Sequence, residues 1–159
     1  MRRIEGAHAV LASTELASAT GSVLAVLVPA YVWLALAFRP GAPGPDTLQA
    51  LNDLAWISFI AMYPPALIQN VAIGACILGD RQQRPVYPHW LGLLNYAAAA
   101  VYLVGGVSVP FVRRGPFAWN GLIGFWLVAV AFFAWVILMW WATTKAIRLP
   151  PADEGARVS

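Results

Sequence analysis

Residues 52–78 read NDLAWISFIAMYPPALIQNVAIGACIL, and this stretch decides the fold of the chain. It is long and apolar enough to cross a lipid bilayer, because about 20 apolar residues in a helix span a hydrocarbon core of about 30 Å. It also contains residues that hydrocarbon normally rejects, namely an Asn-Asp pair, a Pro-Pro pair and a Gln-Asn pair. The sequence therefore predicts a membrane-spanning helix that is broken near its centre and carries amides at depth.

The composition of the whole chain indicates a membrane protein. Of its 159 residues, 60% are hydrophobic, 11% are charged and eight are Trp, which is too little polar surface for a soluble globule of this size. The net charge of +3 does not indicate nucleic-acid binding, because the ten basic residues are spread along the chain and form no basic stripe. The single cysteine, Cys76, excludes an internal disulfide and a cysteine metal cluster, so packing is its expected role.

Four segments of the chain are apolar enough to span a membrane. We therefore predict an all-α fold, a polytopic membrane helical bundle of four transmembrane helices. The predicted spans are residues 17–38, 54–78, 90–112 and 120–142. Residues 1–148 form a single domain in this interpretation, and residues 149–159 are a disordered cytoplasmic tail.

The second span has a marked start and a predicted kink. Asp46 and Gln49 have the spacing of a capping box, which predicts a helix start near Thr47. Pro64 and Pro65 lack the N–H groups that would bond to the preceding turn. The apolar run nevertheless continues past them, and the segment before them is too short to cross a bilayer. We therefore predict that the two prolines kink the second span rather than end it.

The basic residues predict the orientation of the chain. Four spans place both termini and the central loop on one side of the membrane. That side carries seven basic residues, namely Arg2, Arg3, Arg81, Arg84, Lys145, Arg148 and Arg157. The other side carries three, namely Arg39, Arg113 and Arg114. Because short cytoplasmic loops hold an excess of Lys and Arg, we predict a multi-pass protein of the cell membrane, of the bacterial inner-membrane type, with both termini cytoplasmic.

Polar residues in or beside the spans are the candidate site residues. Those in the inner half are the candidates for a binding pocket: Gln69, Asn70, Asn95 and Tyr96. The candidates for an ion or proton site are Asp53, Glu15, Asn52 and Asn120. The second and third spans are joined by a short loop and should be antiparallel neighbours. We therefore expect Gln69, Asn70 and Asn95 to meet one another or a shared ligand in the cytoplasmic half of the membrane.

Each candidate also has a structural interpretation. Amides on facing membrane helices often bond one another and hold the helices together, and this is the favoured interpretation of the inner residues. Asp53 is either a solvated carboxylate favoured by the helix dipole or an ion site paired with Arg113 or Arg114. Glu15 is either a charge at headgroup level or a functional membrane carboxylate.

Three blocks of sequence and the spacing between them carry a resemblance. The blocks are residues 52–56 (NDLAW), 87–92 (YPHWLG) followed by Asn95, and 115–121 (GPFAWNG). Over roughly residues 2–148, the chain resembles uncharacterised actinobacterial integral membrane proteins. The resemblance gives no catalytic residue to carry over. Members of that family have further hydrophobic segments before the position of Arg2, so we expect this chain to be shortened at its N-terminus.

Three classes of function stay open. The first is a structural or accessory membrane protein that binds membrane lipids or a partner, as the abundant Trp suggests. The small residues Ala17, Gly21 and Ala25 recur at every fourth position and offer a surface to a second copy or to a partner membrane protein. The second is a small transporter that uses a membrane carboxylate, Glu15 or Asp53. The third is a membrane enzyme acting on a lipid substrate.

The sequence predicts neither a catalytic group nor a cofactor site. His8 and His89 are the two histidines, and both are predicted at the cytoplasmic face. Neither has a cluster of Cys or carboxylate ligands beside it, which a haem or metal site would need. We therefore expect no catalytic residues, no metal, no cofactor and no nucleic-acid partner.

Overall fold

The computed structural model describes residues 1–6, 9–41, 43–108 and 111–148, and these residues contain helices and no strands. The helices are α1 (Arg2–Glu5), α2 (Val10–Phe38), α3 (Pro45–Ala61), α4 (Pro64–Leu78), α5 (His89–Ser108), a π-helix (Leu122–Leu127) and α6 (Val128–Ile147). Four stretches are long and apolar enough to span a membrane: Val10–Phe38, Pro45–Leu78, His89–Ser108 and Leu122–Ile147. The predicted all-α membrane fold with four spans is confirmed. The predicted tail, residues 149–159, lies outside the described residues.

The first span is longer than predicted. It begins at Val10 rather than at residue 17 and runs for 29 residues. That length is about 43 Å at about 1.5 Å per residue, so the helix tilts or extends beyond the hydrocarbon core. Glu5 accounts for the early start, because its carboxylate accepts hydrogen bonds from the backbone N atoms of Leu11 (2.9 Å) and Ala12 (2.6 Å). These N–H groups would otherwise have no partner at the helix start.

The second span is one apolar run with a break in the middle. Met62 and Tyr63 separate α3 from α4, and Pro64 and Pro65 are the first residues of α4. Proline is favoured there, because the first residues of a helix have no intrahelical partner for an N–H group. The chain continues at once into the next turn, since the Leu67 N donates to the Tyr63 carbonyl at 3.0 Å. The predicted kink is confirmed.

The start of the second span differs from the prediction. The sequence predicts a capping box of Asp46 and Gln49, but α3 begins at Pro45 and has no side-chain cap. The N-cap residue is Gly44, which has no side chain, and Asp46 lies inside the first turn rather than at the N-cap position. Gln49 is therefore free to turn along the helix, and its Nε2 donates to Asp53 Oδ1 at 2.6 Å. The capping-box prediction is wrong.

The spans pack as an open row. α4 lies between α2 and α5, α3 packs on α2, and α6 packs on α5. Small residues bring these helices close, as at Gly21, where an added Cβ would lie 2.9 Å from the Cβ of Pro65. The first and last spans pack on one side only. Of the most apolar 18-residue stretch of each, 11% is buried in Val10–Phe38 and 6% in Leu122–Ile147.

One end of the row gathers the N-terminus, the loop between α4 and α5, and the end of α6. Gln82 Nε2 donates to the Arg3 carbonyl at 3.3 Å, and the hydroxyls of Tyr87 and Thr143 lie 3.4 Å apart. We call this the inner end. It also holds the main buried cluster, formed by Ile73, Ile77, Tyr87, Leu91, Met139, Ala142 and Ala146.

Aromatic rings mark the opposite end, which we call the outer end. The ring centroid of Trp56 lies 5.1 Å from that of Trp33, 4.9 Å from that of Trp119 and 5.6 Å from that of Phe125. The rings join α2, α3 and the π-helix through the loop before it. In that loop the Pro116 carbonyl accepts hydrogen bonds from the N–H groups that open the π-helix. Trp33 of the first span and Trp56 of the second therefore lie in one cluster, as is typical of tryptophans at a membrane interface.

Candidate functional site

A carboxylate, an amide and a hydroxyl meet between α2 and α4. Gln69 Nε2 donates to Glu15 Oε1 at 3.4 Å, and Ser22 Oγ donates to Gln69 Oε1 at 3.2 Å. Ser22 Oγ also lies 3.1 Å from the Ser18 carbonyl, so its one proton serves one acceptor at a time. All three side chains are half-buried. We call Glu15, Ser22 and Gln69 the Glu15 cluster.

The local sequence explains how this cluster forms. Glu15 and Ser22 are about two helical turns apart and therefore lie on one face of α2. Gly21 lets that face approach Pro65 closely, and Gln69 follows Pro65 by about one turn of α4. The cluster thus joins one residue predicted as an ion or proton site, Glu15, with one predicted for a binding pocket, Gln69.

The cluster lies in the inner half of the row. Glu15 is about 7.5 Å along α2 from Val10, and Gln69 is about 13.5 Å along α4 from Leu78, at about 1.5 Å per residue. A carboxylate at such a depth is costly unless a partner satisfies it. The Gln69 amide supplies one hydrogen bond, and no ion pair joins Glu15 to a cation among the described residues. Its chemistry is limited to proton exchange or to holding a cation with oxygen atoms.

Asn70 follows Gln69 but points elsewhere, because consecutive residues of a helix diverge by about 100°. Asn70 is 1% exposed, and its Nδ2 donates to the Ala66 carbonyl at 2.8 Å. Its Oδ1 has no hydrogen-bond partner among the described residues, and the same holds for the buried hydroxyl of Tyr102 on α5. Each is an atom that a bound water or ligand would satisfy.

Asn95 joins α5 to α6. It is fully buried, and its Oδ1 accepts a hydrogen bond from Trp135 Nε1 at 2.8 Å. Its Nδ2 donates to the Leu91 carbonyl at 2.7 Å and lies 3.6 Å from the Met139 sulfur. Every polar atom of this amide therefore has a partner, as expected for a residue that holds two membrane helices together.

The inner amides consequently have different partners. No hydrogen bond among the described residues joins Gln69, Asn70 and Asn95 to one another. Tyr96 is 38% exposed, and its ring lies beside Gly74 at the α4–α5 contact. Asn95 and Tyr96 are consecutive, so they face α6 and α4 respectively. A ligand shared by the inner amides stays a prediction.

The outer candidates do not form a common site in the described residues. Asn52 Oδ1 accepts a hydrogen bond from Trp33 Nε1 at 3.3 Å, which links α3 to α2. Asp53 is exposed, accepts from Gln49 and has no ion pair with the arginines of the loop before the π-helix. Asn120 is exposed on that loop and makes none of these hydrogen bonds.

Asp80 is a buried carboxylate to which no role was assigned from the sequence. Asp80 is 4% exposed, and its carboxylate accepts from the backbone N atoms of Gln82 (3.1 Å) and Val86 (2.9 Å). These hydrogen bonds fix the conformation of the loop at the inner end that carries the exposed Arg81 and Arg84. The sequence does contain an indication of this role, because an aspartate directly after a glycine, here Gly79, is typical of a side chain that closes a turn on its own backbone.

The histidines and the small-residue stripe give no metal or partner site in the described residues. His89 is the exposed first residue of α5, and His8 lies outside the described residues. No group of three His, Cys, Asp or Glu residues in the described part of the chain is placed to hold a metal ion. Within the stripe, Gly21 contacts Pro65 of the same chain, Ala17 is exposed and Ala25 is half-buried. Contact of the stripe with another protein stays a prediction.

The four spans and their apolar surfaces define a class, that of multi-pass α-helical membrane proteins. Comparison with protein-family models, with curated proteins and with solved structures finds no match to this chain. The resemblance of the three sequence blocks to actinobacterial integral membrane proteins stays a prediction.

Proposed function

We propose that this chain is an accessory membrane protein that acts by binding membrane lipids or a partner membrane protein. The observation that carries the proposal is the open row of spans. The first and last spans each pack on one side, and 6% of the apolar window of Leu122–Ile147 is buried. Their remaining faces are apolar and are offered to the bilayer or to a neighbour in it.

The interior supports the same proposal. Two of the candidate amides bond to a tryptophan of another helix, Asn52 to Trp33 and Asn95 to Trp135. Interhelical bonds of this kind contribute about 0.6 to 2 kcal/mol each in membrane proteins. These two amides therefore hold the row together, and the apolar outer faces remain open to binding.

We further propose that the inner end faces the cytoplasm. The inner end carries Arg2, Arg3, Arg81, Arg84, Lys145 and Arg148 among the described residues, whereas the outer end carries Arg39, Arg113 and Arg114. Because basic residues favour the cytoplasmic side, both termini lie there in this proposal.

A proton-coupled transporter is the second candidate, and the contact of Gln69 with Glu15 inside the row favours it. A carboxylate within a span that bonds to a neighbouring helix is a group that could load and release a proton. A membrane enzyme acting on lipid stays a prediction with no observation in its favour.

Proton flux into proteoliposomes distinguishes the two candidates. The wild-type chain and the Glu15→Gln and Asp53→Asn variants are reconstituted at equal density, and decay of an imposed pH gradient is followed. Asp46→Asn, an exposed carboxylate at the start of α3, is the matched control. The accessory proposal predicts the same slow decay for all four proteins. Faster decay for the wild type that is lost in Glu15→Gln or Asp53→Asn, but kept in the control, would overturn it in favour of a transporter.

A further inference from the structure

The inner end of α6 carries a surface cavity of about 270 Å³. Its lining residues are Trp140, Trp141, Thr144, Lys145 and Arg148. They repeat at three- and four-residue intervals and therefore form one face of the last turns of α6. Trp140 is 72% exposed and Trp141 is 48% exposed, so the two indoles form walls that open toward the outside of the row. We call this the rim cavity.

The two cations of the rim cavity are available to an anion. Lys145 Nζ lies 5.3 Å from the centroid of the Trp141 ring, and Arg148 is exposed directly after α6. Neither forms an ion pair with a carboxylate among the described residues. Asp80, on the loop that packs beside this end, turns both carboxylate oxygens to its own backbone. No described carboxylate therefore neutralises the pair.

The net charge of the rim cavity favours an anion, although the cavity lies at the C-terminal end of a helix, which is partially negative. The last carbonyls of α6 carry about half a negative charge, whereas Lys145 and Arg148 carry two positive charges. Thr144 does not add a donor, because its Oγ1 donates to the Trp140 carbonyl at 2.8 Å. The positive charge that attracts an anion to this site is therefore carried by Lys145 and Arg148.

We propose that the rim cavity binds the phosphate headgroup of an anionic glycerophospholipid. Lys145 and Arg148 contact the phosphate, and the indoles of Trp140 and Trp141 contact the glycerol and the first acyl carbons. Trp is the residue that membrane proteins place at headgroup level, and basic pockets at the cytoplasmic ends of spans bind anionic lipids. The proposal rests on the binding function proposed above and names the lipid class and the site.

Lys145 lines a second cavity as well as the rim cavity. A second cavity of about 240 Å³ lies beside the first. It is lined by Pro85, Val86, Tyr87, Pro88, Trp141, Ala142 and Lys145. Lys145 and Trp141 thus form the wall between both cavities, whereas Arg148 lines only the first. A headgroup in either cavity contacts the lysine.

Lipid titration of the purified full chain, followed by native mass spectrometry, tests the proposal. The probes are phosphatidylglycerol and phosphatidylcholine with identical acyl chains. The wild type should bind phosphatidylglycerol more tightly. Lys145→Gln and Arg148→Gln should each weaken that binding by about fivefold, which corresponds to about 1 kcal/mol per basic residue near an anionic surface. Binding of phosphatidylcholine should change less, because its trimethylammonium group offsets the charge of its phosphate.

Three control variants make the result specific. Arg113→Gln combined with Arg114→Gln removes two charges from the outer end and should leave the lipid preference intact. Thr20→Val should also leave it intact, because that threonine lies on α2, does not line the rim cavity, and donates its hydroxyl to the Leu16 carbonyl. Lys145→Arg should restore the preference that Lys145→Gln lowers, and an unchanged melting temperature of each variant shows that it is folded.

The outcomes separate this proposal from the function on which it rests. If the wild type binds both lipids equally and the Lys145→Gln and Arg148→Gln variants behave like it, the rim cavity is not an anionic-lipid site, although lipid binding stands. If inorganic phosphate displaces phosphatidylglycerol at equal concentration, the site recognises free phosphate and the lipid assignment is overturned. If the wild type binds neither lipid, lipid binding itself fails.

Discussion

At the scale of single residues, the polar groups inside the spans have individual partners that the sequence does not reveal. The sequence predicts that Gln69, Asn70 and Asn95 lie at similar depths, and Asn70 and Asn95 are buried in the structure. Which neighbour each one faces depends on how the helices rotate against one another, and that is decided by packing. Gln69 therefore bonds to Glu15 of α2, and Asn95 bonds to Trp135 of α6.

Asn95 provides the sharpest test at this scale. Asn95→Leu removes the acceptor of the Trp135 Nε1 hydrogen bond and leaves a half-buried indole N–H without its partner. An unsatisfied buried donor costs about 1 to 3 kcal/mol, so the variant should unfold at a lower fraction of denaturing detergent than the wild type. Asn120→Leu, at an exposed position, is the control and should have little effect. Equal stability of the two variants would show that the Asn95 bond contributes nothing.

At the scale of the helices, local chemistry determined what could be predicted. Pro64 and Pro65 act through their own backbone, so the kink of the second span follows from the sequence alone. The capping box failed because α3 begins at Pro45, so Gly44, which has no side chain, takes the N-cap position and Asp46 lies inside the first turn. The early start of α2 was missed because its cap, Glu5, comes from a separate short helix.

The contact between α2 and α4 yields a prediction about Gly21. In Gly21→Ala the new Cβ would lie 2.9 Å from the Cβ of Pro65, whose ring is fixed to its own backbone. The helices must then separate by a few tenths of an ångström, and overpacking of this kind costs about 1 to 3 kcal/mol. We expect a lower melting temperature in detergent. Gly44→Ala is the matched control, since nothing lies within 4 Å of an added Cβ there. A Gly21→Ala variant as stable as the control would contradict the packing of α2 on Pro65.

At the scale of the whole molecule, the number of spans followed from the sequence, but the shape of their arrangement did not. Each apolar run predicts its own helix. The open row depends on small residues at particular helix faces, such as Gly74 against the backbone of Gly92, and on side-chain contacts that only the assembled fold shows. The rim cavity on α6 was missed for the same reason: its Trp, Lys and Arg residues look like ordinary interface anchors in the sequence.

The orientation of the row is testable with a reporter enzyme that is active only outside the cytoplasm. Fused after Arg148, at the inner end, the reporter should be inactive, because the basic residues of this end hold it in the cytoplasm. Inserted after Arg114, in the loop before the π-helix at the outer end, it should be active. The reverse pattern would contradict the proposed orientation while leaving the fold unchanged.

Native mass spectrometry of the full chain extracted from its own membrane tests the central claim, that this protein acts by binding within the bilayer, most directly. The open row predicts that the chain leaves mild detergent with bound phospholipid or as a defined assembly with another membrane protein, because the faces of α2 and α6 are otherwise uncovered. Activation to higher collision energy should release these ligands in discrete steps. A bare, lipid-free monomer under the mildest conditions that remove the detergent would contradict the proposed function.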